Sequence, residues 1–335
     1  MSYLKFFLVI ALLPGMLSAA LYRERVKHVH LVQDWSKDPN DQNFIENNSL
    51  KTLRDTLKLK HTTLKVTDLA NDKDTYELSY IVIWNKPHFL KEKNLAKFPL
   101  KKTVLFMWEP PVTQKDLYAD QFTSKFKRIY TWDDDLVDNK KYFKFYYPVL
   151  QNMRDNLPSF SERKLLTQIS GNKKSKHKKE LYSHRLSVIE YFQEKPEGEF
   201  EFFGTGWKKK NFRHYKGAPA DKHETLKNYK FSICYENMQE IKGYVTEKIF
   251  DCFAVGTIPI YWGASNITDY IPKDCFIDRR DFASFEDVLN HIRGMDQATY
   301  STYLKNIQAF LESDKAKLFS QEMFNVIFLE SIRFP

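Results

Sequence analysis

The chain has 335 residues, 42% hydrophobic and 28% charged, a globular balance with room for two domains of ordinary size and no case for overall disorder. Its net charge of +9 is small for that length, and it carries neither a metal-finger spacing nor the aromatic signature of an RNA-binding sheet, so no nucleic-acid partner is expected. Three cysteines, Cys234, Cys252 and Cys275, exclude a disulfide framework and form no C-x-x-C zinc motif.

The N-terminus reads first as a targeting segment. Lys5 precedes an uncharged stretch from Phe6 to Tyr22, interrupted by Pro14-Gly15, and Ser18 and Ala20 give a small-x-small pattern. Residues 1–20 are a signal-like or anchor segment, short for a spanning helix, which needs about 20 apolar residues. Membrane association through residues 1–22, or entry to a secretory pathway, is the expectation. Sequons occur at Asn47-Asn48-Ser49 and Asn266-Ile267-Thr268.

The stretch 26–32 (VKHVHLV) reads as a first strand. Residues 43–60 read as a helix with Phe44, Leu50, Leu53 and Leu57 along one side. The apolar runs 78–84 (LSYIVIW) and 102–108 (KTVLFMW) are buried strands, the second stopped by Glu109-Pro110-Pro111. A helix is predicted over 113–126, then a strand at 128–132 (RIYTW) ending in Asp133-Asp134-Asp135. After the polar stretch 151–163 the pattern restarts. Strands are predicted at 164–170, 198–207, 227–237 and 257–263, and helices at 179–194 and from Thr246 to Val255 with Gly256 beyond its end. Pro259 suits an edge strand or a strand start. From about Ser284 the chain is helical and amphipathic.

Strands alternating with helices predict parallel sheets. The division is an N-terminal α/β domain over 21–155 and a C-terminal α/β domain over 156–335, whose last helices are free to return to the first. Two such Rossmann-like domains facing a cleft would bind a ligand at the carboxyl ends of their strands.

Several motifs are weak. Gly204-Thr205-Gly206 is too little for a dinucleotide fingerprint. The lysine run 173–179 (KKSKHKK) reads as a solvated loop, a phosphate-tracking patch being the alternative. Asp133–Asp135 is either a solvated turn or a site for Mn²⁺ or Mg²⁺. Glu109 ends a buried strand beside Trp108, where burial would raise its pKa as a general base needs; a surface glutamate is the alternative. With Thr246 as N-cap, Glu247 and Lys248 occupy the first turn of a helix, with Asp251 beyond them on its polar side. A lysine there opposes the helix dipole unless an anion is bound, and Glu247 could accept hydrogen bonds from a ribose diol.

The stretch 229–278 resembles the donor-site block of the α-1,3-fucosyltransferases, glycosyltransferase family 10. The residues that carry the likeness are Tyr229-Lys230-Phe231, Tyr235-Glu236-Asn237, Tyr244-Val245-Thr246-Glu247-Lys248 and Pro259-Ile260-Tyr261-Trp262-Gly263. Tyr235 replaces the family's usual Phe. The resemblance implies a GT-B fold and an inverting transferase moving L-fucose from GDP-fucose to an acceptor oligosaccharide, at O3 of N-acetylglucosamine or glucose. By position, Lys248 and Arg185 would contact the diphosphate, Glu247 the ribose, and Asn237 and Tyr244 the donor pocket, with Glu109 as the catalytic base. No metal ion is implied as a required cofactor, Mg²⁺ or Mn²⁺ being at most a non-essential stimulant. Transfer of another GDP-sugar and a silent carbohydrate-binding relative are the alternatives.

Overall fold

The structure, a computed structural model, describes residues 28–333 except 34, 39, 42, 47–49, 70–78, 91 and 209–210. The signal-like residues 1–22 and the first sequon lie outside the described residues. Among the described residues no helix is long and apolar enough to cross a membrane.

Two parallel sheets organise the chain. The first runs in the order β2-β1-β3-β4-β5-β6, from β1 (His28–Val32), β2 (Thr63–Val66), β3 (Ser79–Trp84), β4 (Thr103–Met107), β5 (Arg128–Thr131) and β6 (Tyr142–Lys144). The second runs β11-β10-β9-β7-β8, from β7 (Lys164–Ile169), β8 (Phe200–Phe203), β9 (Tyr229–Tyr235), β10 (Ile258–Trp262) and β11 (Ile277–Asp278). β3 and β4 are buried along their whole length, as unbroken β-branched and aromatic runs must be when both faces of a parallel sheet are covered.

Within the helix predicted over 43–60, Asn43–Glu46 and α1 (Lys51–Leu59) are helical, and Phe44, Leu50, Leu53 and Leu57 are all buried as their spacing predicts. The helix predicted over 113–126 does not form. It is replaced by a 3-10 turn (Lys115–Tyr118) and one α-turn (Asp120–Thr123), because Ala119 between them is extended at φ −71°, ψ 134°. Leu117, Phe122 and Phe126 still enter the core, so the apolar pattern was right and the period wrong. Pro259 sits in a strand paired on both sides, yet β11 pairs only with Ile260 and Tyr261, so the missing N–H falls before that pairing begins.

The predicted helices at 179–194 and after Thr246 appear as α2 (Tyr182–Gln193) and α3 (Glu247–Ala254). Two more helices, α4 (Phe285–Arg293) and α5 (Gln297–Leu311), follow the second sheet. The last, α6 (Gln321–Arg333), places Phe324, Ile327, Phe328 and Ile332 in the core of the first sheet. Tyr244 belongs to that core as well, its ring 4.5 Å from Trp132. The two halves are therefore locked together beside the cleft. Asp134, just past β5, accepts hydrogen bonds from Lys144 Nζ (2.6 Å), Tyr270 Oη (2.6 Å) and Asn266 Nδ2 (2.9 Å), and Lys242 pairs with Asp135 (2.7 Å).

Candidate active site

A cleft of about 710 Å³ opens where the carboxyl ends of the two sheets face each other. All six residues singled out from the sequence, Glu109, Arg185, Asn237, Tyr244, Glu247 and Lys248, line it.

On the first wall, the backbone after β4 is held from several sides. Asn85, in the left-handed region at φ 61°, accepts from the backbone N–H groups of Trp108 and Glu109, both at 2.8 Å. Trp132 Nε1 (3.0 Å) and the Tyr147 hydroxyl both donate to the Trp108 carbonyl, and Tyr118 donates to the Glu109 carbonyl (2.9 Å). These contacts hold the backbone that presents Glu109 to the cleft. Burial pushes its carboxyl above the ordinary carboxylate range, against the pull of Lys173, Thr113 and Lys248.

On the second wall, α3 starts where its sequence predicts, with Thr246 as an extended N-cap. The Thr246 side chain does not cap its own helix. Its hydroxyl and its backbone N–H both bind Glu236, a carboxylate with 0% exposure at the end of β9. Lys248 Nζ completes the cluster, 2.9 Å from Glu236 and 3.0 Å from Thr246 Oγ1. Desolvation opposes its charge, but Glu236 and then Glu247 outweigh that and raise its pKa. The lysine that opposes the helix dipole is thus balanced by a buried partner, as a buried charge must be. Glu247 projects into the cleft; desolvation there opposes its ionisation, while Lys248 and Lys222 outweigh it and hold its carboxyl below the usual range, at about 2.

Arg185, on α2, donates to the Tyr235 carbonyl from Nε (3.2 Å) and Nη2 (2.6 Å) and to Asn237 Oδ1 (3.1 Å). Asn237 Nδ2 in turn reaches the Tyr244 hydroxyl (3.3 Å). The set forms one chain of contacts behind the cleft surface. Gly263 makes room for it: a Cβ there would lie 2.6 Å from Glu236 Cγ and 2.5 Å from Tyr261 Oη. Gly263→Ala should displace Glu236 and cost ~1–3 kcal/mol of stability, measurable by urea unfolding; an unchanged midpoint would show that the contact relaxes freely.

Sequence reasoning missed three participants. Glu236 stood in the quoted Tyr235-Glu236-Asn237 motif, and a lysine in a first helical turn was the signal that a carboxylate should face it. Lys173 belongs to the run read as a solvated loop, yet it lines the cleft and its charge acts on Glu109. Lys222, paired with Asp251, lines the same wall and left no linear signal. Asp251 itself is buried rather than solvent-facing.

Asp133–Asp135 does not gather around a common point. Asp134 is surrounded by donors and held below the ordinary range, burial being outweighed by Lys144, Tyr270 and Asn266, and Asp135 faces Lys242. Among the described residues no group of three or more His, Cys, Asp or Glu side chains is placed to hold a metal ion. Asn266, of the second sequon, has its amide engaged by Asp134 and Asp269.

Comparisons with known proteins bear on the family and the fold. Residues 161–324 match glycosyltransferase family 10 (fucosyltransferase), C-terminal part. An α-(1,3)-fucosyltransferase of Helicobacter pylori is 45% identical over 74 residues, 22% of this chain and 15% of that protein. An α-(1,4)-fucosyltransferase of Arabidopsis thaliana is 37% identical over 83 residues, 24% of this chain and 20% of that one. The matched stretches thus span a fifth or less of these relatives' own lengths. The whole fold is similar to the crystal structure of an α1,3-fucosyltransferase with GDP, with TM-score 0.55 and 16% identity over 91% of this chain and 89% of the other. It is similar as well to a T4 phage glucosyltransferase in complex with UDP-glucose, with TM-score 0.52 and 13% identity over 91% and 98%. At such identities the likeness is one of fold, the two-sheet GT-B architecture. Residues 161–324, just under half of the chain, carry the match to the fucosyltransferases of glycosyltransferase family 10.

Proposed function

We propose that the chain moves L-fucose from GDP-fucose, with inversion, to a hydroxyl of an acceptor glycan, O3 of N-acetylglucosamine or glucose being the reading favoured by the family. The observation that carries this is the pairing across one cleft of a desolvated carboxylate, Glu109, with a helix start whose cap side chain is engaged elsewhere and whose surroundings are cationic.

Glu109 takes the acceptor hydroxyl proton while that oxygen bonds to the fucose anomeric carbon from the face opposite GDP. The bond from that carbon to the phosphate oxygen breaks, and GDP leaves with the electron pair. Negative charge then grows on the diphosphate, where the first N–H groups of α3, Lys248 and Arg185 oppose it. Lys173 and Lys222 add charge on the same wall. Glu247, ionised at neutral pH, is suited to accept hydrogen bonds from the donor ribose, and Asn237 with Tyr244 walls the donor pocket. Residues 1–22 would supply membrane association or export, which fractionation of tagged protein would test.

Calorimetry with GDP tests the donor half. Lys248→Ala and Glu247→Ala should each weaken GDP binding by ~1–3 kcal/mol, the range for a charge-assisted hydrogen bond. Wild-type affinity in both would remove α3 from the donor site. A donor screen by GDP release separates fucose transfer from transfer of another GDP-sugar.

With cations and a helix start facing the diphosphate, transfer should persist in excess EDTA, Mg²⁺ or Mn²⁺ adding stimulation at most. Activity lost in EDTA and restored by Mn²⁺ would contradict that.

A further inference from the structure

On the first wall, among the described residues, three side-chain polar atoms are buried without a hydrogen-bond partner: Trp84 Nε1, Trp108 Nε1 and Gln321 Oε1. All three residues line the cleft that holds Glu109. A buried unpaired polar group costs ~1–3 kcal/mol, and three on one wall call for an explanation. The transfer chemistry uses none of them.

Their setting is aromatic. The Trp84 and Trp108 ring centroids are 5.0 Å apart, and Trp35 stands 5.0 Å from the first and 5.3 Å from the second. Trp35 is 48% exposed and lines the cleft. Gln321 commits Nε2 to Asn325 (2.7 Å), which leaves its carbonyl oxygen as the unused group.

The chemistry of these groups selects a ligand class. Two donors and one acceptor are unmet. A phosphate or carboxylate satisfies only the donors and a cation only the acceptor, whereas a hydroxyl does both. Charge points the same way. Lys173, Arg185, Lys222 and Lys248 line the second wall together with Glu247, and among the described residues Glu109 is the only charged lining residue on the first. An aromatic surface with hydroxyl-matching groups fits the apolar face and the edge of a pyranose ring.

We propose that Trp35, Trp84, Trp108 and Gln321 form a subsite for a neutral hexopyranose of the acceptor, next to Glu109. The Trp35 ring, the exposed member, is the stacking surface, and a hydroxyl of the stacked sugar is the partner that the unpaired atoms of the same wall lack. That this sugar is the acceptor rests on the fucosyl-transfer reading; that a neutral sugar binds here does not.

The test is retention of the GDP-loaded chain on an array of neutral and acidic oligosaccharides, for wild type, Trp35→Ala, Trp35→Phe and Gln321→Leu, with thermal melts alongside. Wild type should retain neutral glycans. Trp35→Ala and Gln321→Leu should each lose about tenfold in glycan affinity, the value of one stacking or hydrogen-bonding contact, with GDP affinity kept. Trp35→Phe, which keeps a ring, should lose less and carries the test together with Gln321→Leu if the alanine variant fails to fold. Neutral-glycan affinity unchanged in folded Trp35→Phe and Gln321→Leu, a preference for acidic glycans, or no glycan retained by wild type would each overturn the proposal. Retention of neutral glycans with no fucose transferred would overturn the fucosyl-transfer reading and leave the subsite intact.

Discussion

Glu109→Gln is expected to lower fucosyl transfer by roughly 10²–10⁴-fold, the range for loss of a positioned general base, while GDP binding stays as in wild type. The amide keeps the shape of the side chain but cannot accept the hydroxyl proton. The pH dependence follows from the sign of the shift. The base works only when ionised, so transfer should fall as pH drops through a pKa that burial has raised above the ordinary carboxylate value. Asp133, pushed up to about 6 by burial, titrates in the same region, so the assignment requires that Asp133→Asn keep the acid limb of the profile. Stability runs the other way. A carboxyl whose folded pKa is raised contributes stability below its unfolded pKa and loses it as pH rises through the folded one. Glu109→Gln should therefore melt no lower than wild type at neutral pH. Full turnover by this variant would exclude Glu109 as the base.

Glu236→Ala is expected to be the most destabilising single change near the site, by ~3–5 kcal/mol, as when one partner of a buried ion pair is removed. It leaves Lys248 without its main counter-charge and strips the Thr246 N–H and hydroxyl of their acceptor. Urea unfolding would measure it. The double variant Glu236→Gln/Lys248→Met should recover much of the loss, because no uncompensated charge remains, yet it should bind GDP weakly. That contrast separates a structural role of the pair from its role toward the diphosphate. A Glu236→Ala midpoint equal to wild type would show that the cluster is not what holds α3 in place.

Much of this was legible in the linear sequence because it rests on local physics. The β3 and β4 runs are apolar without interruption, and only a parallel strand covered on both faces uses such a run. Thr246, Gly256 and the apolar residues between them fixed α3. Glu109 was marked by the abrupt end of its strand. Pairings between distant segments were not legible. Glu236 and Lys248 are twelve positions apart on different elements, and the fold alone brings the carboxylate under the ammonium. The failed helix at 113–126 shows the same limit locally: apolar spacing was satisfied by short turns around an extended Ala119. The indole wall was hidden for another reason. Trp84 ends β3 while Trp35 and Trp108 lie just past β1 and β4, and an abundance of aromatic residues reads as core until the strands are in register.

The most direct measurement is NMR of the product formed from GDP-fucose and a neutral oligosaccharide by wild type and Glu109→Gln. A fucosyl linkage with the anomeric configuration opposite to that of the donor, formed by wild type and lost in the variant, is the expected result. Retained configuration, or GDP release without a fucosylated product, would contradict inverting transfer at this cleft.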